Sequence, residues 1–126
     1  MQPLVLIDTS SWIEAFRVDG KPEVQEKVKD LLMEGKAAWC DMILLELWNG
    51  ARGNSERKML KDLSEEIPML PITGSVWSLA KKLAQKCRKK GKTIPSTDIL
   101  IAACGFEHEV EIEHQDRHFE IVLGII

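Results

Sequence analysis

Residues 4–13, Leu4-Val5-Leu6-Ile7-Asp8-Thr9-Ser10-Ser11-Trp12-Ile13, decide the fold class. Leu4 to Ile7 is a short run of branched apolar residues with no polar side chain on either alternating face. A strand of that kind is buried on both sides, as in a parallel sheet covered by helices. The run ends on Asp8. Thr9, Ser10 and Ser11 then offer helix-capping hydroxyls, and Trp12, Ile13 and Phe16 fall at helical spacing. A buried strand, an acid and a helix start form the opening of a right-handed crossover unit.

The same alternation continues outward along the chain. Pro22 opens a second helix with Val24, Val28, Leu31 and Leu32 on one face, and Gly35 stops it. Ala37 to Cys40 is a second strand. Asp41 caps a third helix, from Met42 to about Ala51, and Asn54 to Glu66 is a fourth, striped by Leu60, Leu63 and Ile67. Met69 to Ile72, bracketed by prolines, is a third strand. Thr73 or Ser75 starts a long helix with Val76, Ala80, Leu83, Ala84 and Cys87 on one side, and Gly91 ends it. Pro95 to Asp98 initiates another helix, and Ile99 to Phe106 is apolar enough to place that helix at the centre. Val110 to Ile112 is a fourth strand and Glu120 to Ile126 a fifth. The expectation is one α/β domain over residues 1–126. It is a three-layer α/β/α sandwich with a small parallel sheet of four or five strands.

Composition excludes several classes of function. The chain has 126 residues and is 44% hydrophobic, which is far from a disordered composition. The longest uncharged run, Ile67 to Ala80, is 14 residues long and broken by Pro68 and Pro71, too short to span a bilayer. The N-terminus has no basic region and meets an acid at Asp8, unlike a secretory signal. Cys40, Cys87 and Cys104 are odd in number and form no CxxC pair, so the expectation is reduced, buried thiols in the cytoplasm and no membrane contact. The net charge is −3, but Lys81 to Lys92 holds seven bases and no acid, leaving ten bases and all twenty acids elsewhere. One positive segment on an acidic body suits a local contact with a polyanion.

In parallel α/β sheets, ligands bind beyond the carboxyl ends of the strands. Four acids fall there: Asp8 after the first strand, Glu46 one turn into the helix after the second, Asp98 in the first turn of the apolar helix, and Asp116 after Val110 to Ile112. Each also has a structural use. Asp8 can cap the first helix, Asp98 can favour its helix dipole, Glu46 can reach solvent and Asp116 can serve a turn. Together they conflict electrostatically. Two like charges about 4 Å apart repel by roughly 4 kcal/mol at an effective dielectric near 20. Glu46 is flanked by Leu44, Leu45, Leu47 and Trp48, and no Lys or Arg lies within three residues of Asp8 or Asp98. A hard divalent cation resolves the conflict, and an oxygen-only set favours Mg²⁺ or Mn²⁺ over Zn²⁺. Of the basic segment, Lys82, Lys86, Arg88 and Lys89 are the candidates to hold a nucleic-acid backbone beside that ion.

The chain resembles the PIN-domain ribonucleases, specifically the VapC-type toxins of toxin–antitoxin pairs. The resemblance rests on Leu6-Ile7-Asp8-Thr9-Ser10-Ser11-Trp12-Ile13, Leu44-Leu45-Glu46-Leu47-Trp48-Asn49-Gly50-Ala51-Arg52, Gly91 through Asp98 to Ala103, and His114-Gln115-Asp116-Arg117-His118-Phe119. It implies a Mg²⁺- or Mn²⁺-dependent endoribonuclease in which a metal-activated water hydrolyses RNA phosphodiesters, leaving 5′-phosphate and 3′-hydroxyl ends. Asp8, Glu46, Asp98 and Asp116 fall on the family's four acids, both catalytic and metal-binding, with Asp8 and Asp98 touching metal most directly. Ser10 matches a supporting hydroxyl. His114 stands where many members have Thr and is the second supporting position. The resemblance further implies a homodimer and a small antitoxin that blocks the acids and alone contacts operator DNA.

Other chemistries remain open on the residues alone. His114 and His118, if on an extended segment, would share a side and could run metal-free RNA cleavage by acid–base catalysis. Cys104, His108, His114 and His118 are conceivable zinc ligands at non-standard spacing. A phosphatase of the haloacid dehalogenase type needs a second acid where Ser10 stands. A degenerate PIN fold would bind RNA or protein without cleaving.

Overall fold

A computed structural model describes residues 3–125. The elements run β1 (Val5–Ile7), α1 (Thr9–Phe16), α2 (Pro22–Met33), β2 (Ala37–Ala38), α3 (Asp41–Gly50), α4 (Asn54–Glu66), α5 (Gly74–Lys89), α6 (Ser96–Glu107), β3 (Glu111–Glu113) and α7 (Arg117–Ile125). The sheet is parallel, in the order β2-β1-β3. Leu6 and Ile7 point to opposite faces of β1, and both are fully buried. Both faces of the sheet are therefore covered. The helices form two groups, α1 with α2 and α5 with α6 and α7, and α3 touches both α1 and α6. This is the expected α/β sandwich.

Two predicted strands are absent as strands among the described residues. Met69 to Ile72 contributes one parallel bridge, Trp39 to Met69, with the Leu70 N–H donating to the Trp39 carbonyl at 2.8 Å. Pro68 and Pro71 on either side have no N–H to extend the ladder. Glu120 to Ile126, expected as a fifth strand, lies mostly in α7, while its last residue, Ile126, is outside the described residues, as are Met1 and Gln2. Phe119 and Val122, three residues apart, are fully buried, and Leu123 packs beside them. That is a helical stripe, and starting the segment at Glu120 hides its first member. The sheet is thus three strands and a bridge.

Capping explains the remaining boundaries. Asp8 is the N-cap of α1, Thr73 Oγ1 accepts from the Val76 N–H at α5, and Gly35 and Gly91 take positive φ after α2 and α5. Asp41 sits inside the first turn of α3, with Cys40 at the cap position. In α6 every residue from Asp98 to Gly105 is buried, making it the central helix, and Asp98 is its only charged buried group. The three cysteines are free and buried. No helix among the described residues is long and apolar enough to cross a membrane.

The α1–α2 turn closes at Gly20, where an added Cβ would collide with the Glu14 carbonyl oxygen. A backbone atom cannot rotate aside, so Gly20→Ala is expected to cost roughly 1–3 kcal/mol. Urea denaturation monitored by tryptophan fluorescence reads this directly, and an unchanged midpoint would contradict it.

Candidate metal centre

The order β2-β1-β3 makes the chain leave β1 toward one edge and return to the other, so a crevice opens beyond the carboxyl ends of β1 and β3. Asp8 follows β1 at once, and its N–H donates to the Glu113 carbonyl at 2.9 Å. Asp116 follows β3 after a bend. Asp98 comes in on the first turn of α6 and Glu46 on α3.

Asp8 is 3% exposed, and its two oxygens have different tasks. Oδ2 accepts from the Ser10 N–H at 3.0 Å and the Ser10 hydroxyl at 2.6 Å. Oδ1 is buried with no hydrogen-bond partner. The capping use and the ligand use suggested by the sequence therefore coexist, one on each oxygen. Ser10 Oγ in turn accepts from the Gln115 N–H at 3.0 Å, tying the start of α1 to the loop after β3.

Asp116 Oδ1 accepts from the His118 N–H at 2.9 Å, and its carbonyl accepts from the Phe119 N–H, so it starts α7 as Asp8 starts α1. His114 holds this loop. Its ring stacks on Phe119 with centroids 5.2 Å apart, and its Nδ1 accepts from the Asp116 N–H at 3.4 Å. His118 Nδ1 lies 3.1 Å from Asp116 Oδ1 and 3.3 Å from Asp98 Oδ2, although neither approach is aligned as a hydrogen bond. Asp98, Asp116 and His118 each present an atom within 4.8 Å of the others.

Glu46 is half-buried, and its Oε1 accepts from the Thr9 hydroxyl at 2.7 Å. Its sequence neighbours do not wall it in, contrary to expectation, since Leu45 is exposed and Leu44 only half-buried. Adjacent helix residues point in different directions, so an apolar flank in sequence is not an apolar flank in space.

Charge binds the four acids into one system. Asp98 is held up at about 6, first by burial, then by Asp116 and Asp8, with His118 opposing and Glu46 adding to the rise. Burial also raises Asp8 above the usual carboxylate range, against the hydrogen bonds from Ser10 and with help from Asp116. A buried carboxylate oxygen without a donor, among like charges and with few nearby cations, is what a divalent ion would satisfy. Asp98 and Asp116 fit such an ion by distance, while Asp8 and Glu46 are tied to them through their charge.

A profile of the family described as "PIN domain" matches residues 5–123. The chain belongs to the PIN-domain family. It is 33% identical over 126 residues to "VapC ribonuclease Mb1587" of Mycobacterium bovis, covering 97% of this chain and 93% of the relative. That likeness places it among the VapC proteins. Two solved structures share the fold. VapBC2 from Rickettsia felis, bound to a DNA fragment from their promoter, has a TM-score of 0.78 at 15% identity, covering 94% of this chain and 92% of its own. FitAcB from Neisseria gonorrhoeae has a TM-score of 0.75 at 19% identity, covering 94% and 93%.

The expected RNA-binding residues of this PIN domain are not gathered at the acids. Lys82, Lys86 and Lys89 line a surface groove with Lys81 and Gln85, and none of the four acids lines it. Lys82 also shares a cavity with Glu107, at the far end of α6 and roughly 14 Å along that helix from Asp98. Arg88 lies nearer, sharing a cavity with Lys92 and Ser96. Lys81, which was not among the expected residues, lines a groove with Ser96 and Thr97, immediately before Asp98. Thr9 and His118 were also missed as members of the acid site. Thr9 was legible only as a capping hydroxyl, and the one signal for His118 was its position two residues after an acid at a helix start.

The rival histidine and zinc arrangements lack their geometry. β3 ends at Glu113 and α7 begins at Arg117, so His114 and His118 do not share an extended segment. Cys104 Sγ faces the Leu70 carbonyl, and His108 Nε2 lies 2.8 Å from the Pro71 carbonyl at the end of α6 opposite Asp98.

Because Asp98 titrates higher folded than unfolded, the folded state binds more protons between about pH 4 and 6. Stability of the metal-free protein therefore falls as pH rises across that range, and the full penalty persists above it. Asp98→Asn is expected to melt a few degrees higher than wild type at pH 7 in chelator, with the difference shrinking toward pH 4. Melting curves by circular dichroism test this, and a parallel pH dependence in both proteins would refute it.

Proposed function

We propose that this PIN domain is the toxin of a toxin–antitoxin pair, an endoribonuclease that hydrolyses RNA phosphodiesters with Mg²⁺ or Mn²⁺. The observation that carries the reading is a cluster of Asp98, Asp116 and His118 with ligand atoms within 4.8 Å of one another, coupled electrostatically to Asp8, whose Oδ1 is buried and unsatisfied. A relative 33% identical and named a VapC ribonuclease supports the choice of reaction. The ion, when bound, neutralises charge on the phosphate and lowers the pKa of a water.

The chain's own residues have separable tasks. Asp8 and Asp98 hold the ion, with Asp116 beside them. Ser10 fixes the Asp8 rotamer by occupying Oδ2, which leaves Oδ1 free of hydrogen bonds. Thr9 restrains Glu46, and His114 and Phe119 restrain the Asp116 loop. The substrate backbone meets positive charge from α5, with Arg88 and Lys81 nearest the acids by the cavities they line.

The partners follow the same reading: an RNA substrate, a second copy of the chain in a homodimer, and a small antitoxin that carries any DNA contact. An apolar groove of about 340 Å³ between α1, α3 and α4 is lined by Ile13, Phe16, Leu47 and Leu60 and reaches Glu46. A protein segment seated there stands against Glu46, which is consistent with inhibition by an antitoxin. The working compartment is the cytoplasm.

Purified protein is expected to cleave RNA with Mg²⁺ or Mn²⁺ and to stop in chelator. Asp8→Asn and Asp98→Asn are expected to lower the rate at least ~100-fold, about 2.7 kcal/mol of barrier, with unchanged circular dichroism. End mapping should find 5′-phosphate and 3′-hydroxyl termini. Full activity of Asp98→Asn, or cyclic phosphate ends made in chelator, would sink the proposal and favour the histidine mechanism.

A further inference from the structure

We propose that His118 supplies a nitrogen ligand to the divalent ion of this site and so biases it toward Mn²⁺ over Mg²⁺. The inference rests on the divalent-ion reading above and adds a ligand and a metal preference to it.

Three observations carry it. The first is spacing. His118 Nδ1 stands 3.1 Å from Asp116 Oδ1 and 3.3 Å from Asp98 Oδ2. An octahedral ion with bonds of about 2.1 Å sets neighbouring donors about 3 Å apart. The two edges that meet at His118 therefore already match the donor spacing of a coordination shell, and the third is within 4.8 Å. The second is the lack of any other use for the nitrogen. Nδ1 is buried and makes no aligned hydrogen bond, even with two carboxylates within reach. An imidazole serving only as an ion-pair partner would turn its N–H onto one of them. The third is independent of the triad: Asp8, nine-tenths buried and more, leaves Oδ1 without a partner in the same electrostatic cluster. Two unrelated side chains thus each keep a buried lone pair unused, and both act electrostatically on Asp98.

The backbone explains how the ring is delivered. The His118 N–H is tied to Asp116 Oδ1 at 2.9 Å, the capping bond that starts α7. That bond fixes the residue beside Asp116 and leaves the ring without a structural task of its own. A nitrogen among carboxylates changes selectivity in a known direction. Mg²⁺ strongly prefers oxygen and retains water, whereas Mn²⁺ accepts imidazole more readily.

The test is direct metal binding to the full-length protein, without RNA. Mn²⁺ is titrated by loss of the free-ion electron paramagnetic resonance signal, Mg²⁺ by competition, and bound Mn²⁺ is examined by electron spin echo for coupling to a ligated ¹⁴N. Wild type is expected to show the nitrogen coupling and to bind Mn²⁺ at least ~10-fold tighter than Mg²⁺. His118→Ala and His118→Asn should lose the coupling and weaken Mn²⁺ by about 10-fold, with Mg²⁺ changed by less than about 3-fold. His114→Ala should keep the coupling. Bound Mn²⁺ without a nitrogen coupling in wild type, or a coupling that disappears in His114→Ala instead, overturns the inference and leaves the metal reading standing. Wild type that binds neither ion overturns both. The wild-type coupling needs no variant, so a His118 substitution that fails to fold does not shield the proposal.

Discussion

Asp8 carries its charge into a place almost closed to water, where Asp116 adds to the rise in its protonation, and both Asp8 and Asp116 raise that of Asp98. Only one of its oxygens is used by the fold. The other has no donor, and no Lys or Arg forms an ion pair with any of the four acids among the described residues. The surrounding structure consists largely of restraints on this unfavourable arrangement. The sheet brings β1 and β3 side by side, Ser10 bridges Asp8 to the Gln115 backbone, and α6 drives Asp98 in from a fully apolar body. Removing the repulsion would relax the protein, and the repulsion persists because the same geometry offers converging oxygens to a cation.

The restraints share a device. Asp8 and Asp116 each end a strand region, each cap the helix that follows, and each accept the backbone N–H two residues on. A cap bond orients the carboxylate relative to a rigid helix, and the helix is anchored by buried Trp12 or Phe119. Trp12 packs on Trp39 with centroids 5.3 Å apart, tying α1 to the end of the neighbouring strand β2. A side chain fixed in this way loses little entropy on binding an ion, which suits a small and water-poor site. Glu46 is different. It is half-buried, held by one hydroxyl, and lines the apolar groove of α1, α3 and α4. It is the acid best placed to feel a protein partner.

Positive charge follows a separate logic. The seven bases of residues 81–92 form one cluster in sequence, yet α5 and the turn after it distribute them over several surfaces. Because the carboxyl end of α5 lies beside the start of α6, Arg88 and Lys92 are near the acid end, while Lys82 accompanies Glu107 at the other. A charge run on a helix therefore reports that the helix is basic, and its packing direction reports which bases matter to the site.

Much of this architecture was legible in the chain. The apolar run before Asp8, the caps at Asp8 and Thr73, the breaks at Gly35 and Gly91 and the apolar body of α6 all depend on contacts within a few residues, and all are present. So was the candidacy of the four acids, since strand ends are recognisable locally and the sheet's parallel order brings them together. The failures share the opposite property. Met69 to Ile72 has strand-like residues, but its pairing depended on N–H groups that prolines lack. The terminal segment became a helix through Phe119, whose burial is a tertiary fact. The apolar neighbours of Glu46 dispersed because a helix turns each side chain about 100° from the last. His118 reached Asp98 from twenty positions along the chain, at a distance set by how α7 docks on α6. Local chemistry thus determined most of the strands and helices and which acids stand near their ends. Tertiary packing alone decided which lone pairs meet, because through-space distance between remote segments is fixed by crossovers and docking that no short stretch of sequence encodes.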